Sequence, residues 1–328
     1  MQAIRQARFG GPEVLVLEDL PTPVPASGEV LVRVHAASIN HYDILSRRGD
    51  FADVPLPRIP GMECSGHVEA YGGGSRTDLA IGTPVVVLGT TLGNGGPGGY
   101  STHVCLSETE VFAVPAGLDL TIAACLGMTY LTAWYALIER AQLQPEQTLL
   151  IPGAGGGVAG AVLEIAVSSG ARVAATSGGA AKCARAVSQG AQVCVDYHTQ
   201  DVTKEILAWS GGQGVELVLD AVGGDSIQQG LNCLASRGRL LSIGIVRGNS
   251  FSVDAVAFLS REQFLLGVNA GQLAPAKRYA IFEQLADWIA AGKLTVTVDR
   301  TFPLAEAADA HRYAESGERY GKLILLCD

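Results

Sequence analysis

From Ile151 to Ala161 the chain reads Ile-Pro-Gly-Ala-Gly-Gly-Gly-Val-Ala-Gly-Ala. It follows the apolar run Thr148–Ile151 and opens a helical apolar pattern through Val162, Leu163, Ile165, Ala166 and Val167. A strand, a turn nearly free of side chains and a helix start, in that order, let a pyrophosphate approach backbone N–H groups and the positive end of a helix, because no Cβ stands between them. The spacing reads in two registers, Gly155-x-Gly157-x-x-Gly160 and Ala154-x-Gly156-x-x-Ala159. The second is admissible because alanine at the last place still allows close helix–strand packing. The residue types alone leave both registers open.

The pattern beyond the turn separates a nucleotide site from a flexible loop. Buried strand patterns recur at Ala171–Thr176, Val193–Val195, Val215–Asp220 and Arg239–Gly244, with helical patterns between them. Continuous apolar strands spaced by helices predict a parallel, doubly wound α/β sheet. In NAD-preferring sites of this kind the second strand ends in an acid that binds the ribose 2′-hydroxyl. Here Thr176-Ser-Gly-Gly-Ala-Ala-Lys182 stands there instead, with Arg185 beyond. Hydroxyls, a glycine turn at a helix start and a lysine one turn in would suit the 2′-phosphate of NADPH. The plain alternative is that Ser177 caps a helix and Lys182 is a surface charge.

At 328 residues the chain suggests two domains, on a rule of roughly 100 to 200 residues each. A net charge of −9, with the basic residues scattered, argues against a nucleic-acid partner. Seven cysteines without CxxC pairs read as reduced thiols. Neither a signal peptide nor a run of membrane-spanning length is evident, so the expectation is a cytoplasmic enzyme without a membrane partner.

The elements around the turn fall into three stretches. Residues 1 to about 120 carry short alternating strands, such as Val14–Leu17 and Val30–His35, between Pro- and Gly-rich turns, which predicts a β-rich domain. The nucleotide segment comes next. Past Gly267 come a helix through Ala280, Phe282, Leu285 and Ile289, a strand at Val296–Val298, a helix from about Ala305 and a last strand, Lys322–Leu326.

This arrangement resembles the medium-chain dehydrogenase/reductase superfamily over essentially the whole chain, and most closely its zinc-independent quinone oxidoreductase (zeta-crystallin-like) branch. The residues that carry the resemblance are Ala36-Ala-Ser-Ile-Asn-His-Tyr-Asp43, Arg48-Gly49, Leu131-Thr-Ala-Trp134, the glycine turn, Thr176-x-Gly-x-Ala-x-Lys182, Val195-Asp-Tyr197, Asp220-Ala-Val-Gly223 and Gly321-Lys322. The resemblance implies a Rossmann domain over 121–268 and a GroES-like catalytic domain over 1–120 and 269–328. It also favours the Ala154-x-Gly156-x-x-Ala159 register, by the step from that turn to Gly170-Ala171.

Zinc-dependent relatives place ligands at positions matching Asn40, Met62 and Met128, and four cysteines in a stretch matching about Thr90 to Ser107, which here holds only Cys105. Amide and thioether are poor zinc ligands, so no metal is expected. His35, His41, Glu63, Cys64 and His67 read as ordinary strand and turn residues rather than an alternative metal cluster. Without a Lewis acid, alcohol oxidation loses its main driving group, whereas hydride transfer from NADPH to a quinone or an α,β-unsaturated carbonyl needs only orientation, a dry cleft and a hydrogen-bond donor at the developing oxyanion.

The resemblance assigns Asn40 to donate that hydrogen bond. His41 and Tyr42 are the neighbouring candidates for a proton donor, the imidazole because it titrates near neutral pH and the phenol because it donates readily, with water as the alternative. Assigned to the cofactor are Thr132, Ala154, Gly156, Gly157, Val158, Ser177, Gly178, Lys182, Tyr197, Val222, Gly244 and Arg319. Lys322 reads either as a second phosphate contact or as surface charge. The chain departs from quinone reductases at Leu45 and Phe51, where those carry tyrosines, which opens the acceptor to enones, enoyl thioesters or a biosynthetic intermediate. It also keeps open a non-catalytic, NADPH-binding role. The apolar strand Gln263–Asn269 would be a sheet edge, and an uncovered edge together with the resemblance predicts a homodimer.

Overall fold

The computed structural model describes residues 1–50, 54–73, 79–88, 92–93 and 95–327, so Phe51 lies outside the described residues. In chain order the first stretch gives β1 (Gln2–Gln6), β2 (Leu15–Asp19), β3 (Glu29–Ile39), α1 (His41–Arg48), β4 (Cys64–Tyr71), β5 (Pro84–Val87), β6 (His103–Ser107), β7 (Val111–Ala113) and α2 (Leu120–Ala123). Then come α3 (Leu131–Trp134), β8 (Thr148–Ile151), α4 (Gly157–Ser168), β9 (Arg172–Ser177), α5 (Ala180–Ser188), β10 (Val193–Asp196), α6 (Val202–Trp209), β11 (Val215–Asp220), α7 (Asp225–Cys233), β12 (Leu234–Ser242), α8 (Ala255–Ser260) and β13 (Phe264–Gly267). The return segment holds α9 (Pro275–Ala290), β14 (Val298–Pro303), α10 (Ala307–Glu315) and β15 (Lys322–Leu326).

Two compact units result. One holds Met1–Leu131, Gly271–Gly292 and Val296–Asp328, and the other holds Thr132–Ala270 and Lys293–Thr295. Residues 121–131, expected from the sequence in the nucleotide domain, belong to the first unit, because α2 packs on β3, β4 and β5. The strand expected at Val296–Val298 forms later, as β14, where its residues find β15 as a parallel partner.

Among the described residues the second unit has six parallel strands in the order β10-β9-β8-β11-β12-β13. Counted from β8 this is the doubly wound order 3-2-1-4-5-6, which reverses direction between β8 and β11. All four residues of β8 are buried, as a central strand covered on both faces requires. The first unit carries the order β14-β15-β3-β4-β5-β7, with β6 also on β3, and apart from the parallel β14–β15 pair its strands run antiparallel. Val30, Val32 and Val34 of β3 sit in a core with Val68, Val85 and Val104. This pairing sets the site: Leu323 of β15 opposes Ile39 of β3, and Cys64 of β4 opposes Ala37, so Lys322, Asn40 and Glu63 converge at one end of the sheet.

Among the described residues no helix is long and apolar enough to cross a membrane.

Candidate functional site

In the second unit, the chain leaves β8 at the reversal point of the sheet and turns through Gly153, whose φ of +69° is one that side chains resist. Two bonds tie this turn to the end of β9: Gly153 N–H donates to Thr176 Oγ1 at 3.2 Å and Ala154 N–H to the Thr176 carbonyl at 2.9 Å. Helix α4 starts at Gly157 with Gly156 as its N-cap, and no side chain caps it. A Cβ on Gly156 would meet only the Gly153 carbonyl, at 3.4 Å, so glycine there keeps clear a space that the protein does not fill. An uncapped helix start facing open space fits the pyrophosphate of a dinucleotide. Ala154 and Ala159 are buried, whereas Gly160 has room for a Cβ, its nearest neighbour being the Ala154 carbonyl at 3.6 Å. This burial and this room suit the Ala154-x-Gly156-x-x-Ala159 register that the resemblance favours. Val158 lies in the first turn of α4.

At the end of β9, Ser177 is buried, and Gly179, with φ +94°, is the N-cap of α5; Ser177 therefore does not cap that helix. A Cβ on Gly178 would lie 2.6 Å from the Tyr197 hydroxyl, so a side chain there would displace the Tyr197 ring tip. Lys182 is half-buried in the first turn of α5. Asp196, in register with Ser177, accepts from the N–H groups of Gly179 at 3.0 Å and His198 at 3.1 Å, and those bonds hold its carboxyl below the usual range. The end of β9 itself carries no acid; the acid at the end of the neighbouring β10 has one oxygen engaged by backbone amides. The Arg247 guanidinium stands 5.0 Å over the Tyr197 ring, a contact that sequence spacing gave no sign of. Val222 and Gly244 lie just beyond the ends of β11 and β12, and Gly244 packs so tightly that a Cβ would stand 2.2 Å from the Ala221 carbonyl. Thr132 is half-buried on α3.

In the first unit, Asn40 follows β3 as the N-cap of α1 and is 7% exposed. Its backbone N–H donates to Asp43 Oδ2 at 2.9 Å, while its side chain turns into a buried cluster. Asn40 Oδ1 accepts from Lys322 Nζ and from Thr129 Oγ1, both at 3.0 Å, and Asn40 Nδ2 donates to Glu63 Oε1 at 3.1 Å. Lys322 Nζ also donates to Glu63 Oε1 at 2.7 Å and to Thr129 Oγ1 at 2.6 Å. Glu63 accepts further from Ser38 Oγ and, through Oε2, from the Met128 N–H, each at 2.7 Å. Lys322 is 2% exposed, which overturns its reading as surface charge. A buried ammonium is tolerated because its three donors all find acceptors and the Glu63 carboxylate cancels its charge. Sequence reading missed Glu63 and Thr129 in this role, because a lone Glu at a strand start and a lone Thr in a helical turn carry no spacing signal.

The three positions that the resemblance sets against zinc ligands lie around Glu63: Asn40 and the Met128 amide bond to it, and Met62 precedes it. Amide and thioether donors with an ammonium among them do not fit a dication. Among the described residues, no group of three His, Cys, Asp or Glu is placed to hold a metal ion.

His41 begins α1, and its Nε2 is buried with no hydrogen-bond partner among the described residues. Burial, with the charges of Arg319 and Arg48 adding to it, pushes its pKa down to about 4, so it does not titrate near neutral pH in place. Tyr42 is half-buried, and burial raises its phenol. Asp43, 1% exposed, is raised by burial to about 6 against the pull of the Asn40 N–H and of Arg58. Arg319 is half-buried in the first unit, in range of His41 and His311.

Comparison with known proteins extends this picture. Residues 26–116 match the family described as alcohol dehydrogenase GroES-like domain, and residues 189–325 the family described as zinc-binding dehydrogenase. The quinone oxidoreductase of Pseudomonas aeruginosa is 31% identical over 327 residues, which cover 98% of this chain and 98% of that protein. A phenolphthiocerol/phthiocerol polyketide synthase of Mycobacterium tuberculosis is 34% identical over 308 residues; these cover 92% of this chain but 14% of that much longer protein. Among solved structures, Escherichia coli quinone oxidoreductase complexed with NADPH has a TM-score of 0.92 and 27% identity, over 99% of this chain and 100% of that one.

Proposed function

The chain belongs to the medium-chain dehydrogenase/reductase superfamily as a quinone oxidoreductase-like, NAD(P)-dependent oxidoreductase, and from that premise we propose that it is an NADPH-dependent reductase of quinones or α,β-unsaturated carbonyl compounds that works without zinc. The observation that carries the cofactor choice is the end of β9: Ser177, Gly178 and Gly179 lead to Lys182 in the first turn of α5, where a chain selective for NAD would present a free acid. Bound NADPH supplies a hydride from C4 of its dihydronicotinamide, and the acceptor takes that hydride and one proton.

The chain's own residues have three tasks. The α4 start and Gly156 receive the pyrophosphate, Lys182 and Ser177 the 2′-phosphate, and Tyr197 the adenine side; Thr132, Gly157, Val158, Gly178, Val222, Gly244 and Arg319 complete the cofactor contacts. Asn40 donates the Nδ2–H that Glu63 does not hold, which has only a long approach to the Ser38 carbonyl, to the acceptor oxygen as negative charge builds there, the step at which a fixed donor lowers a barrier. Tyr42 or water delivers the proton. His41 is neutral at pH 7 and can give only the proton of its neutral ring.

The match to a stretch of a polyketide synthase favours one second reading of the acceptor, an enoyl thioester. We place the enzyme in the cytoplasm, which suits its seven free thiols. We also propose a homodimer through β13, because that strand ends the sheet and Phe264 on it, with Val256 and Leu259 of the preceding helix, is exposed.

NADPH consumption by metal-free protein, followed with a quinone, a simple enone and an enoyl thioester in parallel and with NADH as the comparison, tests the reading. Turnover that prefers NADPH is expected. NADPH binding with no turnover on any acceptor would leave a binding role, and equal use of NADH would overturn the cofactor assignment.

A further inference from the structure

The Asn40 cluster contains more order than a hydrogen-bond donor needs. An amide can sit in either of two flipped orientations, and what selects one is the sign of the groups around it. Here both donors, Lys322 Nζ and Thr129 Oγ1, meet Oδ1, and the carboxylate meets Nδ2. Flipping would set an NH2 against an ammonium and a carbonyl against a carboxylate, all in a site where Asn40, Glu63, Thr129 and Lys322 are each less than a tenth exposed. A cation on the carbonyl oxygen also draws electron density from the amide nitrogen, which makes the remaining N–H a stronger donor.

Resting on the reading of Asn40 as the donor to the acceptor oxygen, we infer that Lys322 is a positioning residue for catalysis: its ammonium, seated on Glu63, locks and polarises the Asn40 amide. The ammonium does not touch the acceptor. Its three donors are spent on Asn40, Glu63 and Thr129, so it acts through the amide alone. Glu63 is the second half of the device, since it holds the ammonium by one oxygen while the other is bound to the Met128 N–H. Of the Asn40 amide, one Nδ2 proton is committed to Glu63, and the other has only a long 3.5 Å approach to the Ser38 carbonyl, which leaves it to the substrate.

The test removes both charges while keeping the volume, with the double variant Glu63→Gln/Lys322→Met, and compares it with Asn40→Ala. Expected for the double variant are a melting temperature and an NADPH dissociation constant close to those of the parent, with kcat lower by about 10- to 100-fold, the scale of losing preorganised alignment. A structural role for the pair would restore kcat together with stability, so a folded double variant with kcat within about twofold of the parent would sink the inference. Glu63→Gln/Lys322→Gln, which removes both charges but leaves a polar side chain at each position, is expected to lower kcat to a similar extent with unchanged NADPH binding, and it decides the matter if the methionine variant does not fold. Parental kcat in Asn40→Ala would instead remove the donor reading of Asn40. Loss in Asn40→Ala with none in the charge-free variants removes the role of Lys322 alone.

Discussion

In the second unit, the turn that we propose for the pyrophosphate is made from backbone. Gly153 bends the chain, Gly156 stays bare, and the uncapped start of α4 offers its N–H groups, all within a few residues at the end of one strand. In the first unit, a place for charge is made from side chains, and they come from positions 40, 63, 129 and 322, brought together by the pairing of β15 and β4 with β3. The first kind of site fails when an atom is added, the second when one is removed. That difference orders the tests.

The largest effect should come from Lys322→Met. It leaves the Glu63 carboxylate, 1% exposed, without its counter-ion, and breaking a buried pair on one side costs about 3–5 kcal/mol. Urea denaturation would show the loss in the unfolding midpoint; a change below about 1 kcal/mol would mean that the cluster is not coupled in the way its geometry suggests.

Gly156→Val should do the opposite. The backbone there, at φ −79° and ψ 162°, suits any residue, and the nearest atom to a new Cβ is 3.4 Å away, so stability should fall by about 1 kcal/mol or less. NADPH binding, measured by fluorescence or calorimetry, should weaken on the order of 10- to 100-fold, the worth of one or two charge-assisted hydrogen bonds. Unchanged affinity would move the pyrophosphate away from the α4 start.

Lys182→Glu narrows the comparison to one phosphate. The variant should weaken NADPH by about 10- to 100-fold and NADH by no more than about threefold, because only NADPH carries the 2′-phosphate that a lysine would pair with. Equal losses for both cofactors would remove Lys182 from that role.

The two regions also differed in how far the sequence revealed them. β8, β11 and β15 lie at the boundaries that their apolar runs predict, and the glycine turn is where its spacing puts it. A backbone-built site is local, so its pattern survives in one dimension. The Asn40 cluster does not: Lys322 lies 282 residues from Asn40 and looks like any charge before a C-terminal strand until β15 pairs with β3. The domain boundary was displaced for a related reason, since the attachment of residues 121–131 is decided by what α2 packs against rather than by their own pattern.

His41 gives the smallest expected effect, and it tests whether residue type or setting decides a role in the first unit. Its free value of 6.5 falls to about 4 through burial, aided by Arg319 and Arg48 and opposed by Glu315 and Asp50. A base with a depressed folded value binds its proton less readily folded than unfolded. Its contribution to stability is therefore present in full above pH 6.5 and is lost as the pH falls towards 4. Asp43 opposes it, because a carboxyl raised from 3.8 to about 6 favours the folded state at low pH and loses that contribution as the pH rises through this window. His41→Gln should thus soften the acid side of the stability curve while leaving kcat/KM within about threefold and its profile unchanged in shape between about pH 6 and 8. Imidazole NMR reads the same quantity directly: a His41 midpoint below about 5 is expected, and a midpoint between about 6 and 7 that coincides with an inflection in kcat/KM would return His41 to the role of a titrating proton donor.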